Sequence, residues 1–167
     1  GGIFRWEGRP VDLGGTALLD EPHAVHGHGW TWSWDVESVE PTSATLSMTH
    51  PAGRWPWRYR ARQTMSVEPG RLDMTITVEN LSDEPMPCSL GFHPYFERPA
   101  RLTATVDGAW VGDQVIPERW EERPEFRSVA ADAIELDTCF TGWDGRATVE
   151  VAGGRVECAE YGPPGTA

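Results

Sequence analysis

Between Trp57 and Glu79 the chain alternates apolar and polar residues with a period of two, on both sides of a Pro69-Gly70 pair. Trp57, Tyr59, Ala61, Met65 and Val67 share one side of the first run, and Arg58, Arg60 and Arg62 share the other. Leu72, Met74, Ile76 and Val78 repeat the pattern up to Glu79. Successive side chains of an extended chain point to opposite faces, so each run reads as a half-buried strand. Proline presets φ at the first corner of a turn and glycine accepts the positive φ of the second, which is type II turn chemistry. The two runs therefore form one antiparallel hairpin, and any fold must be built around it. The arginine side reads as a solvated face paired with Asp73 or Glu79, with a phosphate clamp as the alternative.

The rest of the chain follows the same pattern. Ile3 to Trp6 reads as a short strand before a turn over Glu7, Gly8, Arg9 and Pro10. Residues 20–29, with Pro22, Gly27, Gly29, His23, His26 and His28, read as a loop. Trp30, Trp32, Trp34 and Val36 alternate with polar residues and read as a strand. Ser43 to Thr49 is another, with Ala44, Leu46 and Met48 on one face. Leu102 to Val106 is strand-like, and residues 112–133 are irregular. Ala147 to Val151 and Arg155 to Glu160 form a last hairpin around Gly153-Gly154. No window of 11–18 residues carries a helical apolar period, and 18 glycines and 14 prolines punctuate the short runs. The fold expected is all-β, an antiparallel β-sandwich, with residues 1–167 as a single domain.

Composition narrows the partners. A net charge of -12 over 167 residues repels phosphate backbones and anionic lipid surfaces, so neither nucleic acid nor membrane is an expected partner. No apolar run approaches the ~20 residues of a membrane-spanning helix. Cys88, Cys139 and Cys158 are odd in number and lack a CxxC spacing, which fits a reducing, cytoplasmic compartment better than a disulfide framework. Nine tryptophans supply large buried area and faces that stack on flat ligands.

Three stretches carry titratable side chains among glycines and aromatics. The first is the loop from His23 through His26 and His28 to Trp30. The second is Gly91-Phe92-His93-Pro94-Tyr95-Phe96. The third runs from Asp137 through Cys139, Phe140, Gly142 and Trp143 to Asp144 and Gly145. Pro94 biases His93 toward extended backbone, and Phe92, Tyr95 and Phe96 can wall its ring. Imidazole is the side chain that most readily exchanges a proton near neutrality. A buried histidine hydrogen-bonded inside a sheet is the plainer reading of His93. His26, His28 and His93 also admit a three-imidazole metal site of the jelly-roll kind, although no acidic fourth ligand has the expected spacing. Asp144-Gly145 reads as a turn.

Taken together, these stretches and the Trp55-Pro56-Trp57 strand start resemble, in order and over essentially the whole chain, the aldose 1-epimerase (galactose mutarotase-like) family. The branch concerned includes candidate hexose-6-phosphate mutarotases. The resemblance implies a galactose mutarotase-like supersandwich that interconverts the α and β anomers of a hexose, free or phosphorylated, without metal or other cofactor. It implies that His93 is the acid at the ring oxygen. It implies that His26 is a hydrogen-bonding partner of the sugar, and that Asp137 is the carboxylate orienting its hydroxyls. Trp30 is set beside them as an aromatic that could pack on the sugar face.

The pattern departs from the family at both ends. The glutamate that serves as general base lies in a strand beyond the segment that Glu160 to Gly165 resembles, and Glu157 and Glu160 do not match it. An Asn-Arg pair near the sugar lies before Gly1. The chain is thus expected to be an internal portion, inactive by itself for want of the base. Rival readings are a non-catalytic carbohydrate-binding sandwich, the metal-dependent jelly roll, and a purely structural β-domain.

Overall fold

The central hairpin and the last hairpin form where the alternation predicts them. The computed structural model describes residues 2–14, 24, 26–97, 100–112, 117–122, 129, 130 and 139–160. It divides into two units, Gly1–Phe92 and His93–Ala167. Every strand pairing among the described residues is antiparallel.

The first unit begins with a hairpin of β1 (Ile3–Trp6) and β2 (Arg9–Asp12). The turn is only Glu7-Gly8, both with positive φ (48° and 80°), and Arg9-Pro10 already belongs to the second strand. A two-residue hairpin loop needs that left-handed pair to match the twist of its strands. After α1 (Gly27–Thr31), a four-stranded meander follows: β3 (Asp35–Glu40), β4 (Ser43–His50), β5 (Tyr59–Glu68) and β6 (Arg71–Asn80). The central hairpin closes as expected, with Glu68 opposite Arg71 and Gly70 at φ 76°.

The alternation sorts the faces of this sheet. Met48, Tyr59 and Ala61 are its buried cluster, with Trp34, Trp55, Val78 and Met86 packed against them. Arg60 and Arg62 point the other way and are exposed. Arg60 stands opposite Glu79 in the cross-strand register. Arg62, however, pairs with Glu37 at 2.7 Å, and Asp73 is taken by Arg71. The reason is a β-bulge in β3: the register slips between Val36 and Ser38, so Glu37 is the extra residue. Without it Val39 would turn to the arginine face; with it Val36 and Val39 both pair onto apolar residues, Leu46 and Ala44. The Arg62 guanidinium then holds the Glu37 carboxyl below the usual carboxylate range.

The second unit holds two small sheets. One contains β7 (Ala100–Ala104), β10 (Val129–Ala130), β12 (Arg146–Val151) and β13 (Gly154–Ala159), in the order β10-β7-β12-β13. The other contains β8 (Gly108–Val111), β9 (Arg119–Glu122) and β11 (Phe140–Thr141), in the order β11-β8-β9. The region expected to be irregular thus contributes two short strands. Val106, Ala109 and Val149 are its buried apolar residues.

Candidate functional site

Above the apolar face of the β4–β6 meander, the first unit lines a half-open cavity of about 670 Å³. Met48, Ala61, Ile76 and Val78 form its floor. Trp34, Trp55 and Tyr59 stand along it, and His26 to Gly29 supply a wall. That wall is where the sequence misleads. Trp30 to Val36 does not continue as one strand: residues 27–31 form a helical turn and the strand starts at Asp35. His26 and Gly27 are both left-handed, at φ 56° and 60°, and swing the chain round. Trp32 N–H then donates to the His28 carbonyl at 2.9 Å, and the Trp34 indole donates to the Gly29 carbonyl at 3.0 Å. The three tryptophans do not share a sheet face; each meets a different partner. Trp30 is edge-on to His26 at 5.3 Å, Trp32 leans on His50 at 4.8 Å, and Trp34 packs on the buried cluster.

The turn carries His28 onto a triangle of nearly parallel rings, in which His28 and Tyr59 are themselves 6.1 Å apart. His28 stacks on His50 with centroids 4.0 Å apart and planes 11° from parallel. His50 stacks in turn on Tyr59 at 5.2 Å and 13°. The cross-strand register explains the second pair, because His50 at the end of β4 lies directly opposite Tyr59 at the start of β5. The His28 Nδ1 and the Tyr59 hydroxyl share a hydrogen bond of 2.9 Å, whose direction follows the imidazole tautomer. Trp55 flanks the triangle, edge-on to His28 at 6.4 Å.

Burial sets the protonation of this triangle. His28 titrates below its ordinary range because it is desolvated and because His50 is beside it. Burial lowers His50 as well, against an opposing pull from a hydrogen bond to the Trp57 backbone. The Tyr59 phenol is pushed up to about 12 by burial, with the Cys88 thiol adding to it. At neutral pH the triangle is therefore two neutral imidazoles and an intact phenol. Such groups donate and accept hydrogen bonds without presenting charge. Among the described residues, no three His, Cys, Asp or Glu side chains are grouped to hold a metal ion.

Of the residues singled out in the sequence, His26 lines this cavity and is itself exposed. Trp30 is 50% exposed and stands outside the lining, against His26. His93 opens the second unit and is exposed in an irregular segment, not buried in a sheet. Its ring lies 4.8 Å from that of Tyr95, tilted by 35°. Phe92, Phe96 and above all Tyr95, which is 86% exposed, are open to solvent. Asp137 and His23 lie outside the described residues. Downstream, the described part of the third aromatic stretch, residues 139–145, is held by local hydrogen bonds. The Asp144 carboxylate accepts the Arg146 N–H at 3.0 Å across a turn, the Trp143 indole donates to the Arg146 carbonyl at 2.8 Å, and Thr141 Oγ1 accepts from Trp120 at 2.8 Å. Sequence reasoning missed His50 and Tyr59, which belong to no motif. The cross-strand register implied by the alternation was the signal that pairs them.

Known proteins are similar to this chain in sequence and in fold. The sequence profile described as aldose 1-epimerase matches residues 1–157. The chain belongs to the aldose 1-epimerase family. The uncharacterized protein YphB of Escherichia coli (strain K12) is 30% identical over 158 residues, which is 90% of this chain and 53% of that protein. The crystal structure of a candidate aldose 1-epimerase from Escherichia coli K12 superposes with a TM-score of 0.74 at 26% identity, covering 92% of this chain and 54% of that one. A galactose mutarotase related enzyme from Lactobacillus acidophilus shares the fold with a TM-score of 0.65 at 13% identity, over 93% of this chain and 57% of that one. The chain thus spans about half the length of the family members it matches. The all-β antiparallel architecture is that of the galactose mutarotase-like structures.

Proposed function

We propose that this aldose 1-epimerase family chain contributes to interconverting the α and β anomers of a hexose by acid/base ring opening. Family membership over residues 1–157 is the observation that carries the reading, and the cavity bordered by His26 supports it. The chemistry needs few groups. A base removes the C1 hydroxyl proton while an acid delivers a proton to the ring oxygen, and the C1–O bond breaks to give the open aldehyde. Rotation about C1–C2 and reversal of the steps close the ring on the other face. His93 is assigned the acid, His26 a hydrogen bond to the sugar, Asp137 the orientation of its hydroxyls, and Trp30 contact with its apolar side. The proton acceptor at C1 is not among these four. Three cysteines, none in a disulfide among the described residues, fit work in a reducing cytoplasm.

The test is polarimetry on freshly dissolved α-glucose and α-galactose with the complete natural polypeptide. Positioned proton transfer is worth roughly 10²–10⁴-fold, so His93→Ala should lose about that much in kcat. Sugar binding without acceleration in the wild type would favour the non-catalytic carbohydrate-binding reading. A His93→Ala rate equal to the wild type would end the assignment of the acid.

A further inference from the structure

The His28, His50 and Tyr59 rings beside the cavity have no part in the chemistry assigned above. His28 is half-buried and lines the cavity. Its ring is held between His50 on one face and the edges of Trp55 and Trp32, at 6.4 and 6.2 Å. Nδ1 is already engaged by Tyr59. Nε2 is the polar atom left over, on a residue that lines the same cavity as Met48, Ala61 and Val78. We propose that His28 is a sugar-contacting specificity residue, offering Nε2 to one hydroxyl of the guest, with Tyr59 and His50 as positioning residues that fix the ring and its tautomer. The inference rests on the sugar reading above and deepens it.

The hydrogen-bond logic is short. The phenol of Tyr59 stays protonated and can donate to Nδ1 or accept from it, according to the imidazole tautomer. In the tautomer in which it donates, Nε2 carries the hydrogen and donates to a hydroxyl oxygen of the guest. A tautomer fixed by the partner of the other nitrogen is how imidazoles are made single-purpose. Because those lining residues are apolar, a guest hydroxyl set against them without His28 would be left unpaired. A site built to bond a hydroxyl rejects the analogue lacking it, because the polar group of the site then goes unpaired as well.

The experiment uses the complete natural polypeptide and a panel of monodeoxy glucoses and galactoses. His28→Ala should raise KM about 10-fold while kcat changes less than about 3-fold, a tenfold change being the equivalent of one good hydrogen bond. Tyr59→Phe, which keeps the ring and deletes only the hydroxyl, should raise KM about 3-fold, and His28→Gln, which keeps an N–H donor, should recover part of the loss. For one deoxygenated position, wild type and His28→Ala should bind the analogue equally; a merely structural His28 would weaken all sugars alike. Uniform weakening across the panel, or an unchanged KM, overturns the proposal while leaving the epimerase reading intact. A wild type that neither binds nor anomerises any hexose refutes both.

Discussion

Replacing Met48 by alanine tests how the first unit is held together. Met48 is 2% exposed and sits at the centre of the buried cluster with Tyr59 and Ala61, under Trp34, Trp55, Val78 and Met86. Truncating a buried methionine costs about 2–5 kcal/mol, from lost transfer free energy plus the void left behind. Met48 also borders the 670 Å³ cavity, so one side of it already lacks packing partners. The void made by the substitution opens into existing space, and the dispersion attraction forgone is only that toward the sheet and the tryptophans. The lower half of the range applies, about 2–3 kcal/mol. Val39→Ala, at a position 68% exposed, is the control and should stay within about 0.5 kcal/mol. Met48→Leu, which nearly conserves volume, should cost less than about 1.5 kcal/mol. The measurement is urea unfolding followed by tryptophan fluorescence, since Trp34 and Trp55 report on this cluster. A Met48→Ala loss under about 1 kcal/mol, or one no larger than that of Val39→Ala, would show that the cluster is not the unit's core.

Two more outcomes follow from the triangle of rings and the turn. His28 and His50 both have folded-state pKa values depressed below 6.5, so the unfolded chain binds their protons more readily. Stability should be full above about pH 6.5 and fall as the pH drops below it, by at most about 1.4 kcal/mol per pH unit for each histidine. Urea midpoints that stay flat, or rise, between about pH 7.5 and about pH 5 would contradict this; the loss contributed by Glu37 belongs to a lower window, below 4.5. At Gly70, φ is 76° and a Cβ would meet nothing within 4 Å, so Gly70→Ala isolates backbone strain. It should cost about 1–2 kcal/mol and Gly70→Asn distinctly less, because asparagine tolerates the left-handed region; equal costs in the same denaturation assay would contradict that.

What could be read from the sequence was set by the range of each signal. The β5–β6 hairpin was legible, its ends to within two residues, because period-two alternation and turn chemistry are local and sit close together along the chain. The first turn was placed one dipeptide too long because Glu7 is not a residue expected at positive φ. The Trp30-Trp32-Trp34 alternation imitated a strand, since ring spacing alone does not distinguish a common sheet face from three separate partners. Glu37 was overlooked as the partner of Arg62 because a bulge leaves no mark in composition. In the site, His26 stood out through its motif. His50 and Tyr59 did not, because their meaning arises only when β4 and β5 pair and His28 folds over them.

The extra residue in β3 also bears on how molecules of this kind meet one another. Among the described residues β3 is the outermost strand of its sheet, and Asp35, Glu37 and Glu40 lie along it. A neighbour attempting to zip its backbone onto that border meets amides out of step at the kink, the carboxylates of Asp35 and Glu40, and the Glu37–Arg62 ion pair. The same single insertion that keeps two valines on the apolar side therefore acts as a guard against edge-to-edge growth of the sheet into fibres.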